Sequence, residues 1–470
     1  MIERVDGGSR VLRALLLASV ALAPGCNQVA KIGRSGSSGG SSIGRPEPSA
    51  DANVGGSGGA TDDDTRPTAP QPQLGAGVPA PGYLLGLSRE EAAAVKSAPA
   101  GGRLAKLREL VLQEAQRETA LLRIEPGRHL IDRRMNKDVP AAQALDLGFL
   151  IEWNERVDAL GLAYAITGDA KYAQRVDAQL LPWANYSPPS GEGLTKGGEP
   201  GIYHRNFFGV FRAAEQCWPA LSPAGRAAAV KLAIAVQERM EDWWKRTPWE
   251  RGNHAAATAQ TGIYAGILLV RAAADDAKRI APADAAARLD KYLNAGANLP
   301  QQALVGGEKR QPGLLGFGPQ ALIGVLTEQN APCYRSRDYA TDGMLGASID
   351  FFYKPPDRRF GYHALLTHHL LTSYWAVVRS GLDRKVLAQA SEVRRAIGQL
   401  LEFTRPYLER GEVLATAKGK ATDPSSDART REIVAMAARL FPEKAWLEQC
   451  RLRGEPVHFT ELYAEAARFE

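Results

Sequence analysis

The chain has 470 residues, of which 44% are hydrophobic and 23% are charged, so it can bury a large core. Its net charge is +6, but the lysines and arginines form no dense block, which argues against a nucleic-acid-binding protein. Residues 82–470 carry three cysteines, Cys217, Cys333 and Cys450, so at most one disulfide can form among them and the fold does not depend on a cysteine framework.

The first 26 residues have the pattern of a bacterial export signal. Arg10 and Arg13 flank an apolar run, residues 14–23, that is too short to cross a bilayer as a helix. The run is followed by a Pro-Gly pair and Cys26, a segment that resembles a lipoprotein box in which Cys26 is lipidated after cleavage. We therefore predict an exported protein, periplasmic or at the outer-membrane surface, that touches the membrane through this lipid. Plain secretion is the alternative.

Residues 27–81 are rich in glycine, serine and proline. Such a composition buries too little apolar surface to offset the entropy lost on ordering. We predict a disordered linker that holds the following domain, residues 82–470, away from a membrane.

The domain predicted over 82–470 has a helical pattern throughout. In residues 103–122 apolar side chains recur every three or four positions, which is typical of an amphipathic helix. Residues 144–167 and the stretch after Gly168 and Asp169 predict a helical hairpin, with Gly168 as terminator and Asp169 as N-cap. The pair Ser222-Pro223 predicts another helix start.

Further helices are predicted along the rest of the chain, and strand-like alternation is nearly absent. Successive hairpins in one domain indicate an all-α fold, an α/α toroid whose inner helices line a cleft. An α-solenoid is the competing architecture, but no fixed repeat period is visible. The predicted helices are 206–221, 223–245, 254–277, 283–296, 316–328, 341–353, 361–380, 384–410, 428–440 and 459–469.

Aromatic residues cluster near the predicted hairpin ends. Each alone is more often a core or rim residue, but together they would suit a cleft that stacks against sugar rings. They are Trp153, Trp183, Trp218, Trp243, Trp244, Trp249 and Trp375, with Tyr186, Tyr203, Tyr264 and Tyr362.

Two segments resemble the alginate lyase family of toroid polysaccharide lyases. Residues 152–184, "EWNERVDALGLAYAITGDAKYAQRVDAQLLPWA", are similar to that family's Asn-Glu helix and Gly-Asp turn. About 70 residues later comes "RGNHAAATAQTGIYAG", in which Asn253 and His254 match the Asn-His that opens an inner helix and lies in the family's active site. Gly252 replaces the first Asn of the family's triplet. The resemblance covers residues 105–355 and implies a toroid fold and lyase activity.

The family also supplies an arginine and, seven residues on, a tyrosine. By distance from His254 the arginine is Arg310, but the matching later position is Phe317. By local motif Tyr362 fits, because His363 follows it as a histidine follows the family's tyrosine. The resemblance therefore implies Asn253, His254, Arg310 and Tyr362 as catalytic residues.

The implied reaction is β-elimination on an anionic polyuronate, alginate or a related glucuronan. Removing the C5 proton next to a carboxylate requires hydrogen-bond donors that neutralise the developing charge, together with a base and an acid. No metal or organic cofactor is required, and we expect a monomer. The residues predicted to bind substrate are Tyr203, His204, Arg205, Trp249 and His363.

Each of these assignments has a structural alternative. Asn253 could only cap the helix while His254 packs nearby, Arg310 could pair with Glu308 on the surface, and residues 203–205 could be an ordinary loop. A metal site at His363, His368 and His369 is disfavoured, since the gaps of five and six do not match helical ligand spacing. Competing functions are an inverting glycoside hydrolase that uses Glu155 or Asp158, and a tethered glycan-binding protein without catalysis.

Overall fold

A computed structural model describes residues 85–117, 129–131, 144–185, 206–246, 253–294, 360–382, 390–411, 424–453 and 455–467. Of residues 253–256 and 360–366 it describes the backbone alone. The predicted export signal, Cys26, the linker and the predicted helices 316–328 and 341–353 lie outside the described residues.

The described part of the chain is all-α, as predicted, apart from two three-residue strands. In chain order the elements are α1 (Arg89–Lys96), α2 (Arg103–Gln116), β1 (His129–Ile131), β2 (Ala144–Asp146), α3 (Leu147–Thr167), α4 (Ala170–Leu180), α5 (Phe208–Cys217), α6 (Pro223–Arg246), α7 (Asn253–Asp275), α8 (Pro282–Asn294), α9 (Phe360–Arg379), α10 (Ala390–Glu409), α11 (Pro424–Leu440), α12 (Ala445–Leu452) and α13 (Leu462–Glu465). Short 3₁₀ turns occupy Leu181–Asn185, Trp218–Ala220 and Phe459–Glu461.

The predicted turn signals are confirmed. Gly168 has φ +71°, a conformation that glycine adopts without strain, and it ends α3. The Asp169 carboxylate accepts a hydrogen bond from the Lys171 backbone N–H and caps α4. Helix α6 begins at Pro223, and the Ser222 hydroxyl accepts from the Gly225 backbone N–H.

Two predicted helix boundaries are wrong. Residues 144–146 belong to β2, which pairs in parallel with β1, so the helix predicted from 144 begins at Leu147. At its C-terminal end α2 stops at Gln116, because the Arg175 guanidinium donates to the carbonyls of Ala115 (2.6 Å) and Arg117 (2.8 Å). Both differences come from partners distant in sequence.

The C-terminal helix is shorter than the predicted 459–469. A 3₁₀ turn over Phe459–Glu461 leads into the single α-turn of α13, which ends at Glu465. The Arg439 guanidinium donates to the carbonyls of Ala464 and Glu465, and the Ala464 carbonyl also accepts from the Ala467 backbone N–H.

Helices α3 and α5 run parallel and pack closely. Asn154 accepts from the Val210 backbone N–H, and one turn later Asp158 binds Arg212, so both contacts advance in the same direction. Close packing requires glycine at position 161, since a Cβ there would lie 2.7 Å from the Ala213 Cα.

Contacts between helices form a ring. Each of α3, α5, α7, α9 and α11 packs against the next, α11 packs against the C-terminal segment, and that segment packs against α2, which returns to α3. A second set of helices packs against this ring: α4 on α3, α6 and α8 on α7, α10 on α9 and α12 on α11. This arrangement is the predicted α/α toroid.

Ion pairs close the ring between helices far apart in sequence. Arg103 at the start of α2 donates to Glu461 (2.9 Å) and Glu465 (2.6 Å), both of which are buried. Arg451 also binds Glu465. Because more than 350 residues separate Arg103 from these carboxylates, the contacts join the two ends of the described domain.

One end of the ring is covered by residues 85–96, which we call the N-terminal strap. Gln216 at the end of α5 binds both the N–H (2.7 Å) and the carbonyl (3.2 Å) of Leu87. Arg379, the last residue of α9, binds Glu91 and the carbonyl of Gly86. The strap therefore lies across the C-terminal ends of α5 and α9, which point the same way.

Most of the described tryptophans pack inside the protein. Trp153, Trp183, Trp218 and Trp375 are at most 1% exposed, and Tyr264 is equally buried. The hypothesis that these residues form a sugar-stacking cleft is wrong for all five. Cys217 and Cys450 are free thiols, and Cys333 lies outside the described residues. None of the helices in the described ranges is long and apolar enough to cross a membrane.

A buried ion pair lies between the inner helices and the C-terminal segment. Arg212 donates two hydrogen bonds to Asp158, whose carboxylate also accepts from the Tyr463 hydroxyl at 2.7 Å. The guanidinium stacks on the Tyr463 ring, 3.7 Å from its centroid. Desolvation lowers the pKa of Arg212, but the Asp158 carboxylate together with Tyr463 and Tyr264 raises it more, so the net shift is upward. The guanidinium therefore stays charged.

We expect Asp158→Asn to destabilise the fold by about 3–5 kcal/mol, because it leaves the buried Arg212 charge without a counter-ion. Chemical denaturation with a tryptophan-fluorescence readout measures this loss. Glu455→Gln is the matched control: it removes one carboxylate from the exposed, solvent-screened pair with Lys106 and should leave stability nearly unchanged. Equal losses in the two variants would show that Asp158 holds no special position.

We also expect stability to fall as the pH drops from 6.5 towards 4. Desolvation lowers the pKa of His458 to about 4, because the neighbouring Glu432 does not fully offset it. The unfolded chain then binds a proton that the folded protein excludes, so stability is full above pH 6.5 and is lost as the pH falls. Because His458 is only partly buried, the loss is on the order of 2 kcal/mol.

The variant that tests this is His458→Asn. The His458 Nδ1 accepts from the Thr460 backbone N–H and caps the 3₁₀ turn, and an Asn side-chain oxygen can replace that acceptor without titrating. Melting temperatures at pH 7.5 should match, and the variant should lose less stability by pH 5. A wild-type curve that is flat between pH 6.5 and 4.5 would contradict the prediction.

Candidate functional site

Helices α7 and α9 begin at the residues that the sequence singles out. Helix α7 begins at Asn253, and His254 is its second residue. Helix α9 begins at Phe360 and carries Tyr362 and His363 in its first turn. The structure describes the backbone of these residues.

The two helices run parallel in a definite register. Gln260 of α7 bonds to His369 of α9 at 2.6 Å, and farther along both helices the Tyr264 hydroxyl donates to the Thr372 carbonyl. Counting back seven residues from Gln260 gives Asn253, and counting back seven from His369 gives Tyr362. The backbones of Asn253 and Tyr362 therefore lie at the same level, about 10 Å nearer the helix N-termini.

This level lies at the end of the ring opposite the N-terminal strap. Arg379 ends α9 against the strap, and α7 runs parallel to α9, so both helices start at the far end. The unpaired backbone N–H groups of helix N-termini carry partial positive charge, which favours an anionic ligand. The predicted catalytic residues of both helices thus share one end of the toroid.

A hydrogen-bonded layer lies below this level. The Gln260 amide donates to the Thr372 hydroxyl at 2.7 Å, and that hydroxyl donates to the His368 carbonyl. The Gln260 carbonyl oxygen faces His369 Nδ1. Gln260 and Thr372 are buried, whereas His369 is partly exposed. His369 is the member of this layer that combines exposure with a titratable ring.

His368 belongs to a separate, more buried group. Its Nε2 pairs with Glu432 of α11 at 2.9 Å. Desolvation raises the pKa of Glu432. The nearby His368 and Arg212 lower it by more, so the pKa falls to about 2. Burial raises the pKa of Tyr264 to about 12 despite the nearby Arg212. These shifts make Glu432 a permanent anion and Tyr264 a poor proton donor near neutral pH.

Several predicted site residues lie outside the described residues. Arg310, Phe317, Tyr203, His204, Arg205 and Trp249 are in this group, so their roles stay predictions. Residues 203–205 directly precede α5, whose C-terminal end meets the strap, as does that of α9. Helix α5 therefore begins at the same end of the ring as Asn253 and Tyr362, and residues 203–205 precede it in the sequence.

Asp158, one of the two carboxylates suggested for a glycoside hydrolase beside Glu155, is not placed for that role. Asp158 is 2% exposed, and Arg212 and Tyr463 occupy its oxygens. His368 and His369, which the sequence offers as possible metal ligands, bind Glu432 and Gln260, respectively. Within the described ranges no three His, Cys, Asp or Glu side chains are grouped as a metal would need.

Gln260 was not predicted from the sequence as a functional residue, and His369 was considered only as a metal ligand. A signal was present: polar residues recur along two otherwise apolar helices, as in "TAQT" at 258–261 and "THHLLTS" at 367–373. The side chains at 258, 260, 261, 367, 368, 372 and 373 are all buried. Buried polar groups require partners, so such a pattern indicates facing polar helices.

Comparison with known proteins adds one finding at the level of the fold. No protein-family model and no curated protein matches the chain. Among solved structures, the chain is similar to an alginate lyase from Bacteroides ovatus, with 16% identity and a TM-score of 0.49. The match covers 82% of this chain and 98% of that one. At this identity, residue roles are not transferred from the similar structure.

Proposed function

We propose that the protein is a polysaccharide lyase that cleaves an anionic polyuronate, alginate or a glucuronan-like polymer, by β-elimination. The observation that carries the proposal is the register of α7 and α9, which brings the backbones of Asn253 and Tyr362 to one level. The helix N-termini at this end provide a positive potential that suits a uronate carboxylate.

The reaction assigns a role to each predicted residue. Asn253, His254 and Arg310 donate hydrogen bonds to the substrate carboxylate and stabilise the charge that develops when the C5 proton leaves. His254 is also a candidate base, and Tyr362 protonates the departing oxygen at C4. Tyr203, His204, Arg205, Trp249 and His363 contact neighbouring sugars. The residues of this mechanism supply its donors, base and acid without a cofactor.

The position of the N-terminal strap suits an anchored enzyme. The strap lies at the end of the ring opposite Asn253 and Tyr362, and residues 27–81 precede it in the sequence. With a lipid on Cys26, a flexible linker would tether the domain and leave the catalytic end accessible to soluble polymer. We accordingly propose an exported, monomeric lipoprotein of the periplasm or outer-membrane surface.

We expect the purified domain to release unsaturated products from at least one of polymannuronate, polyguluronate, glucuronan and hyaluronan. The C4=C5 bond that forms is conjugated with the carboxylate, so ultraviolet absorbance measures it directly. His254→Ala should abolish the signal while the melting temperature stays within a few degrees of the wild type. Loss of folding in that variant would instead assign His254 to packing.

Other outcomes of the screen select the competing functions. New reducing ends without ultraviolet absorbance would indicate a hydrolase. Polymer binding without any product would indicate a glycan-binding protein. Either result contradicts the lyase proposal.

We expect Tyr362→Phe to lower kcat at least about a hundredfold with little change in KM, because it removes only the proton-donating oxygen. Tyr172→Phe is the matched control, since Tyr172 is a buried tyrosine on the outer helix α4 and its variant should keep normal turnover. Normal turnover in Tyr362→Phe, with a large loss in Tyr203→Phe, would move the acid to Tyr203.

A further inference from the structure

His369 combines three properties that no other described histidine shares. It lies on the inner helix α9, it is partly exposed, and it bonds to a buried amide on the facing helix α7. Helical side chains lean towards the N-terminus, so the pair Gln260–His369 reaches towards the level of Asn253 and Tyr362.

The hydrogen bonds around Gln260 determine which nitrogen of His369 carries the proton. A carbonyl oxygen can only accept, so the Thr372 hydroxyl must donate its proton to the His368 carbonyl. The same hydroxyl then accepts from the Gln260 NH₂ group, and this orients the Gln260 carbonyl oxygen towards His369. That oxygen can only accept, so His369 Nδ1 must carry a proton.

The consequence is a histidine held in one tautomer. Neutral His369 has its proton on Nδ1 and a basic lone pair on Nε2. The orienting chain runs from a helix carbonyl through Thr372 and Gln260, both of which are fully or almost fully buried. Enzymes use a hydrogen-bonded neighbour of this kind to hold a histidine in the tautomer that can accept a proton.

We propose that His369 is the base of the lyase reaction and that Gln260 is its positioning residue. This inference rests on the proposed function. Nε2 takes the C5 proton, the C5–H electron pair becomes the C4=C5 double bond, and the C4–O bond breaks. The departing oxygen takes a proton from Tyr362, and solvent returns both residues to their starting protonation states. His254 then serves to neutralise the substrate carboxylate.

The neighbouring histidines are unsuited to this role. His368 is 9% exposed and is bound to the Glu432 anion, which belongs to the same buried group as Arg212 and Asp158. His458 caps a 3₁₀ turn in the C-terminal segment. Neither bonds to a residue of α7 in the described contacts, whereas His369 does.

The first experiment determines the tautomer without substrate. Nitrogen NMR on ¹⁵N-histidine-labelled protein separates protonated from unprotonated ring nitrogens, and the spectrum of His369→Gln identifies the His369 signals. We expect Nδ1 to be protonated and Nε2 unprotonated above the pH at which the ring titrates. The opposite tautomer would overturn the proposal, whatever the substrate proves to be.

The second experiment uses the polymer that the wild type cleaves. His369→Gln should lower kcat at least about a hundredfold, and Ser373→Ala, which removes a hydroxyl that donates to the His369 carbonyl, should leave kcat unchanged. In Gln260→Glu a carboxylate faces Nδ1 and favours the imidazolium. The acid limb of the kcat/KM profile should therefore move to higher pH by about one unit or more.

The outcomes separate this inference from the proposed function. An active wild type with normal turnover in His369→Gln, or with an unmoved acid limb in folded Gln260→Glu, overturns the role of His369 and leaves the lyase standing. A wild type that cleaves no polyuronate overturns the proposed function and this role with it.

Discussion

The buried pair of Arg212 and Asp158 is the contact on which the toroid depends most. It joins α5 to α3, and through the Tyr463 hydroxyl it joins both to the C-terminal segment, whose sequence position is some 300 residues away. Two charges in an apolar interior are costly unless each is fully hydrogen-bonded, and here the carboxylate has three donors and the guanidinium a stacked ring. These hydrogen bonds can all form only when the ring is closed, so they stabilise the closed ring over open arrangements.

The polar interior has two layers with different consequences. In the more buried layer, Glu432 pairs with His368 and Asp158 pairs with Arg212, and the pKa shifts of Glu432 and Arg212 favour their charged forms. In the other layer, Gln260 and Thr372 are neutral and orient the ring of His369. The charged pairs support the toroid, whereas an oriented imidazole can accept and return a proton.

The direction of the inner helices gives the two ends of the toroid different chemistry. Side chains at the C-terminal ends of α5 and α9 bind the strap: the Gln216 amide bonds to the N–H and carbonyl of Leu87, and Arg379 brings positive charge to a helix C-terminus. The opposite end contains helix N-termini, where the predicted site residues Asn253, His254, Tyr362 and His363 lie. Helix N-termini favour an anionic ligand, so the placement of the strap and of the proposed site follow from one helix polarity.

Local chemistry by itself determined much of this protein: the all-α class, the turn at Gly168 and Asp169, and the helix starts at Pro223 and Asn253. These features depend on φ preferences, caps and apolar spacing that reside within a few residues. The tertiary structure decided what depends on partners far along the chain. Arg175 binds the end of α2, Arg439 binds the end of α13, and packing buried four tryptophans that composition alone could have placed in a cleft. The pairing of Gln260 with His369 likewise needed the register of two helices 109 residues apart, because a hydrogen bond between distant residues has no local signature.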